Sequence, residues 1–192
     1  VFADLLRAKL AGVCELSDTQ IEQLRRHYEL LVRWNQKLNL TSVRTLEETV
    51  ERHYCESVCA ACHLPEAPGS IADIGSGAGF PGIPMAIVLP RASVALIESH
   101  QRKAAFLKES TRDLPNVRVI AKRAEDVGEH FSWAVSRAVR YAEIAAALKN
   151  LAVNVELLTG NVEAAELPGF QWQPPVRLPW GEHRYLWLGR AT

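Results

Sequence analysis

Between Ile71 and Gly82 the chain reads Ile-Ala-Asp-Ile-Gly-Ser-Gly-Ala-Gly-Phe-Pro-Gly, an apolar strand that runs directly into four glycines. Glycine is demanded where a backbone turns through positive φ and where a ligand must come close to main-chain N–H groups. Pro81 suits the first turn of the helix that follows. The segment therefore reads as a strand, a ligand-cradling turn and a helix, and it dictates an α/β fold around it.

The flanking sequence agrees. Short apolar runs at Ser70–Ile74, Ser93–Ile97, Val117–Ala121, Trp133–Ser136 and Val153–Leu158 alternate with helices that start near Pro81, Gln101, Glu125 and Tyr141. Such alternation implies parallel strands, right-handed crossovers and a doubly wound twisted sheet. Phe170–Leu178 and Arg184–Leu188, joined through Pro179, Trp180 and Gly181, read as a terminal antiparallel hairpin. The arrangement resembles the Rossmann-like class I methyltransferases. Residues 1–66 differ and read as a helical extension to the unit at 67–192. Ser17-Asp18-Thr19-Gln20 forms a capping box ahead of Ile21, Leu24, Tyr28, Leu31, Trp34 and Leu38 at helical spacing. Thr45 opens a second helix that runs to about His63.

The glycine stretch also contains Gly77-Ala78-Gly79-Phe80-Pro81-Gly82, which matches the dinucleotide pattern G-x-G-x-x-G. Two features favour S-adenosylmethionine instead. Asp73 ends the strand, where a carboxylate suits a cationic amino acid moiety better than a pyrophosphate, and Pro81 interrupts the region where a dinucleotide helix would already run. Glu98, at the tip of the second strand, suits a pair of ribose hydroxyls. Ala124 and Glu125, after the third strand, are placed to flank an adenine. The candidate cofactor residues read from the loop and the strand tips are thus Asp73, Gly75, Gly77, Gly79, Glu98, Ala124 and Glu125.

Cys55, Cys59 and Cys62 match C-x3-C-x2-C, a spacing that holds iron–sulfur clusters. Here the triplet falls inside a capped amphipathic helix, where small buried cysteines are ordinary core residues, and we expect no metal. The cysteine usage suits a reducing cytosol, and we expect a cytoplasmic monomer. No apolar run reaches membrane-spanning length. Because the chain opens on Val1, we expect part of the native N-terminus to be missing.

The fourth strand narrows the chemistry. Enzymes that methylate exocyclic amines carry Asp/Asn-Pro-Pro-aromatic there, whereas this chain has Val135-Ser136-Arg137-Ala138. Carbon methylation needs a nucleophilic cysteine, and no Cys follows Cys62. A ring nitrogen such as guanine N7 needs neither device. Arg137 is the candidate catalytic residue: it can orient the base, contact the cofactor, or simply pair with Glu125 or Asp126. Lys+Arg and Asp+Glu both total 22, a balance that argues mildly against a nucleic-acid partner. Between Arg102 and Arg123, however, seven cations face only Glu109 and Asp113. That run reads as a solvated face or as an RNA-facing patch.

Trp34-Asn35-Gln36-Lys37-Leu38-Asn39-Leu40-Thr41-Ser42, Arg52-His53, the glycine loop, Ser136-Arg137-Ala138 and Gly181-Glu182-His183-Arg184 together resemble the glucose-inhibited division protein B family. The resemblance implies methylation of guanine N7 in small-subunit (16S) ribosomal RNA, with naked RNA or the small ribosomal subunit as partner. It places Gly75, Phe80, Ala124, Glu125 and Arg137 at the cofactor. Asn39, Thr41, Arg52 and His53 fall near the RNA, although His53 also suits a hydrogen-bonded core position. The chain departs from the family at Thr159-Gly160, where Lys-Gly is usual, and at Glu56, where Asp is expected. Ala152-Val153-Asn154 replaces a glycine turn. Two other readings remain open: a methyltransferase acting on a small molecule or protein, and a non-catalytic ribosome-assembly factor that keeps the pocket.

Overall fold

The computed structural model describes residues 1–137, 140–160 and 167–192. The helical N-terminal part comprises α1 (Phe2–Leu10), α2 (Asp18–Asn35), α3 (Leu46–Thr49), a π-helical turn over Val50–Cys55, and α4 (Glu56–His63). The Ser17 capping box forms as expected, with Ser17 Oγ accepting from Gln20 N–H and the Gln20 side chain accepting from Ser17 N–H. Thr45 Oγ1 likewise accepts from Glu48 N–H. The expected second helix is continuous to His63, but the π turn at its centre shifts the register of the face it buries.

The remainder alternates β1 (Ser70–Ile74), α5 (Gly82–Val88), β2 (Ser93–Ile97), α6 (Gln101–Ser110), β3 (Val117–Ile120), β4 (Phe131–Arg137), α7 (Tyr141–Leu151) and β5 (Ala152–Thr159). It ends in β6 (Phe170–Trp172), β7 (Val176–Arg177) and β8 (Tyr185–Ala191). The sheet order is β3-β2-β1-β4-β5-β8-β6, with β7 also on β8. Pairs from β3 through β5 are parallel, and β8 runs antiparallel to β5, β6 and β7. This is the mostly parallel, Rossmann-like α/β sheet that the alternation predicts.

Two expectations need correction. The helix predicted from Glu125 is a single 3-10 turn, Ala124–Asp126, because only Val127, Gly128, Glu129 and His130 separate it from β4. The terminal hairpin is not one long strand against another. Gln173, Pro174 and Pro175 divide the first arm into β6 and β7, since proline cannot donate to a ladder.

Residues of β2 alternate between two apolar layers, as the period of a strand requires. Val94 and Leu96 join the layer formed with α1, α2, α4, α5 and α6, whereas Ala95 and Ile97 face α7. The N-terminal helices thus share one core with the sheet: Phe2, Leu6, Leu24 and Tyr54 pack in the same cluster as Ile71, Val94 and Leu186. Within the described residues no helix is long and apolar enough to cross a membrane.

The cysteine triplet is divided. Cys55 and Cys59 are buried, and burial pushes both thiols up, Cys59 to about 11. Cys62 is exposed, so the three do not share one buried face; its Sγ lies 2.9 Å from Cys14 Sγ. Among the described residues no group of three or more His, Cys, Asp or Glu is arranged to hold a metal ion.

Glu156, in the middle of β5, is fully buried, and neither carboxylate oxygen has a hydrogen-bond partner. Burial raises its pKa well above the usual carboxylate range. An acid whose folded pKa is raised costs nothing below its unfolded value and destabilises progressively as pH climbs above it. Glu156→Leu is therefore expected to stabilise the fold by about 1–3 kcal/mol at neutral pH. The gain shrinks toward pH 4. Chemical denaturation across pH 4–8 checks it, and a gain independent of pH contradicts the assignment.

Candidate active site

The strand order reverses between β1 and β4, and in open α/β sheets ligands bind beyond the carboxyl ends of the strands at such a point. Register brings the relevant ends level. Ile74 pairs with Ile97 on one side and Ser136 on the other, and Ile97 pairs with Ile120. The residues that follow, Gly75, Glu98 and Arg137, therefore emerge side by side.

The loop after β1 is held at both ends. Gly75 and Ser76 N–H both donate to Ile97 O, at 3.0 and 3.1 Å, extending the β1–β2 ladder into the turn. Gly79 N–H then donates to Ser76 O at 2.7 Å. Gly75, Gly77 and Gly79 have φ of 70°, 56° and 89°, a region L side chains rarely enter. Gly82 is required for a different reason. A Cβ there would lie 2.3 Å from Leu96 Cδ2 and 2.6 Å from Asp73 Oδ2, so only glycine lets α5 sit this close to the sheet.

Asp73 lies under the loop, fully buried. Its Oδ2 accepts Gly82 N–H at 3.0 Å, while Oδ1 has no partner. Burial, only partly offset by the Gly82 bond, raises its pKa to about 7. Glu98 Oε2 accepts Gly77 N–H at 2.9 Å and Oε1 accepts His100 N–H at 2.8 Å. A carboxylate has about four lone-pair sites, so each oxygen retains one acceptor position. Ala124 is partly buried in the 3-10 turn after β3, and Glu125 beside it is exposed.

A second row of side chains comes from the helical part. Asn35 Oδ1 accepts Leu40 and Thr41 N–H at 2.8 and 3.0 Å, which pins the turn after α2. Thr41 Oγ1 then meets His53 Nε2 at 2.7 Å. The His53 ring stacks on Phe80, with centroids 4.7 Å apart, and its Nδ1 is buried without a partner. The Arg137 guanidinium lies over Phe80, 5.2 Å from the centroid. It also donates to Arg52 O, so the pairing with Glu125 or Asp126 considered above does not form. Burial, together with the positive charge of Arg137, drives the His53 pKa down to about 2, leaving a neutral imidazole. Burial lowers Arg137 to about 10, and it remains a cation at neutral pH. Asn39 and the Arg52 side chain are exposed at the rim, and neither joins this row.

Two residues of this neighbourhood escape sequence reasoning. His27, on the buried face of α2, meets Ala78 O at 3.0 Å through Nε2 and Tyr54 Oη at 2.9 Å through Nδ1. A carbonyl only accepts, so Nε2 carries the proton and Nδ1 accepts from the tyrosine. Burial lowers its pKa to about 4, which keeps that tautomer neutral. The one available signal is its position, three residues after Leu24 and in phase with Ile21 and Leu31. The other is Glu56, fully buried, whose two oxygens accept from Arg184 Nε and Nη2 at 2.7 and 2.6 Å. The longer side chain at the position where Asp is expected spans the gap to Arg184.

The site thus offers a backbone cradle in which Gly75, Gly77 and Gly79 carry no Cβ, a buried carboxylate oxygen with no partner among the described residues, spare acceptor positions on Glu98, and a guanidinium held over an aromatic ring. These groups suit a ligand with an ammonium, vicinal hydroxyls and a flat base.

Comparison with known proteins agrees with that geometry. Residues 20–166 match the family model described as rRNA small subunit methyltransferase G (GidB). A relative of that name from Lactococcus lactis subsp. cremoris is 41% identical over 135 residues, 65% of this chain and 57% of its own. The chain thus spans less than two thirds of that relative's length. Another from Roseiflexus castenholzii is 36% identical over 208 residues, 95% of this chain and 88% of its own. Among solved structures, a SAM dependent methyltransferase from Aquifex aeolicus superposes with a TM-score of 0.62 at 15% identity, covering 76% of this chain and 93% of its own. At that identity the likeness speaks for the fold. The chain belongs to the rRNA small subunit methyltransferase G (GidB) family.

Proposed function

We propose that this protein is an S-adenosylmethionine-dependent methyltransferase acting on N7 of a guanine in small-subunit (16S) ribosomal RNA, in the cytoplasm. What carries the reading is the family match over residues 20–166, which takes in both the α2–α4 segment and the glycine loop. The fit of the cleft supports the cofactor. Asp73 Oδ1 would receive the ammonium, Glu98 the ribose hydroxyls, the side-chain-free backbone of Gly75, Gly77 and Gly79 would let the amino acid end approach closely, and Ala124 with Glu125 would flank the adenine. When bound, S-adenosylmethionine supplies an electrophilic methyl group on a sulfonium.

Guanine N7 has an in-plane lone pair and no proton, so the protein need supply no general base. This agrees with a site whose nearest imidazole, His53, is buried and neutral. The protein's contribution is orientation in a preorganised field. Phe80, buried between His53 and Arg137, is a rigid wall behind the guanidinium. Arg52 O takes one of the five N–H donors of Arg137, and the others are suited to holding guanine O6 and a phosphate. Thr41 and His53 act as one unit behind that wall, with Asn39 and Arg52 reaching the RNA from the rim.

Tritium from labelled S-adenosylmethionine should enter 16S RNA that lacks the modification, and Arg137→Ala should lower kcat/KM about 100-fold. Arg137→Lys should not restore it, because an ammonium cannot form the paired bonds. Failure of the wild-type protein to label either naked RNA or small subunits overturns the proposal.

Asp73 adds a pH signature. A cationic ligand binds the ionised carboxylate, so affinity should rise with pH up to about 7 and level off above it. Below pH 7 the slope approaches tenfold per unit. Titration calorimetry from pH 5.5 to 8.5 checks this, and Asp73→Asn should flatten the profile. A wild-type profile already flat removes Asp73 from the ligand.

A further inference from the structure

A groove of about 390 Å³ runs between the last turns of α2 and the start of α6, lined by Leu30, Arg33, Trp34, Lys37, Leu38, Arg102 and Glu109. Its volume falls in the roughly 300–1,000 Å³ range of small-ligand clefts. Leu30, Arg33 and Trp34 line it from one face of α2, at i, i+3 and i+4, and Lys37 and Leu38 line it from the turn just after the helix, where both N–H groups donate to Trp34 O. Trp34 is half-buried and held edge-on against Phe106, with centroids 5.7 Å apart.

Two turns earlier on the same helix, Arg25 and Arg26 are paired with Glu22 and Glu29. By contrast Arg33, Lys37 and Arg102 are exposed, and none is in an ion pair among the described residues. Glu109 is the one carboxylate in the lining. Three unneutralised cations around an aromatic ring are the combination that grips single-stranded nucleic acid, through phosphates on the cations and a base on the ring.

The groove also lies at the right end of the molecule. Arg102 follows Glu98 by four residues, at the first turn of α6. Lys37 and Leu38 begin the turn that Asn35 pins onto Thr41, which in turn contacts His53. Both walls therefore open toward the carboxyl edge of the sheet, where Phe80 and Arg137 stand.

We propose that this groove is a binding site for the single-stranded RNA segment flanking the target base, with Arg33, Lys37 and Arg102 on phosphates and Trp34 against a base. It rests on the reading that the substrate is ribosomal RNA, and it adds where that RNA runs. The test is fluorescence anisotropy with a labelled single-stranded RNA oligonucleotide between 50 and 200 mM salt, run beside methyl transfer to 16S RNA. Neutralising three phosphate contacts on a single strand should reduce the slope of log Kd against log salt by about 2. The variant Arg33→Gln/Lys37→Gln/Arg102→Gln should therefore bind RNA at least tenfold more weakly at low salt, with S-adenosylmethionine affinity unchanged. Arg91→Gln/Lys149→Gln/Arg190→Gln removes equal charge at the opposite end of the strands and should leave Kd and slope near wild type. Trp34→Leu should weaken binding about tenfold, and Trp34→Phe should recover part of it. Wild-type Kd and slope in the first triple variant, equal weakening in the second, or no RNA binding by the wild-type protein overturns the groove. A protein that binds RNA through the groove yet transfers no methyl group keeps the groove and rejects the enzymatic reading.

Discussion

The approach of α5 to β1 sets the terms for everything around the cleft. At Gly82 the helix backbone lies so near Asp73 and Leu96 that a methyl group would overlap both. The approach is closed by one hydrogen bond, from Gly82 N–H to Asp73 Oδ2. It comes with a buried carboxylate of which one oxygen is left unsatisfied. A buried acid without full pairing is destabilising, and the fold meets that cost at the spot where a cationic ligand would relieve it. Asp73 thus anchors the loop with one oxygen and leaves the other buried with no hydrogen-bond partner among the described residues.

The loop above it is fixed from the side as well as from beneath. His27 reaches from α2 to the Ala78 carbonyl, in the middle of the glycine run, and Tyr54 from the π turn fixes the tautomer that allows this. Without such a clamp, a segment with three positive-φ glycines would sample many conformations. With it, the shape of the glycine backbone is fixed before any ligand arrives. The helical extension is therefore part of the site's framework. The same holds at Glu56, whose bidentate pair with Arg184 ties α4 to the start of β8. Both charges are withdrawn from water, Glu56 completely, so the pair orients the two elements more than it stabilises them.

Much of this was legible in the residues. The strands β1 and β2 and the helices α6 and α7 lie where apolar runs and breakers place them, because buried parallel strands leave an unmistakable continuous signal. The glycine loop and Glu98 were legible for the same reason: their residue types answer local backbone demands. What could not be read depended on contacts between distant segments. Nothing around Thr45 announces a π turn, which turns on how Val50 and Tyr54 pack against α1. The row Thr41–His53–Phe80–Arg137 joins four stretches, and only the assembled fold shows that Arg137 lies over Phe80 and not beside Glu125. At Ala124 a helical composition masks a short turn, since only four residues separate Asp126 from β4.

Net charge is a poor guide to partners when charges are unevenly paired. The chain has as many acids as bases, and by that count it has no preference for polyanions. Yet acids and bases that pair on the surface cancel locally. Arg118 with Glu129 and Arg7 with Asp18 contribute almost no field beyond a Debye length. What a phosphate encounters is the unpaired remainder. At the carboxyl edge that remainder is positive, from Arg33, Lys37 and Arg102 at the α2–α6 groove and Arg52 at the rim. Two of the acids there, Asp73 and Glu98, are buried under the loop. A neutral chain can in this way present a locally cationic groove that its net charge does not reveal.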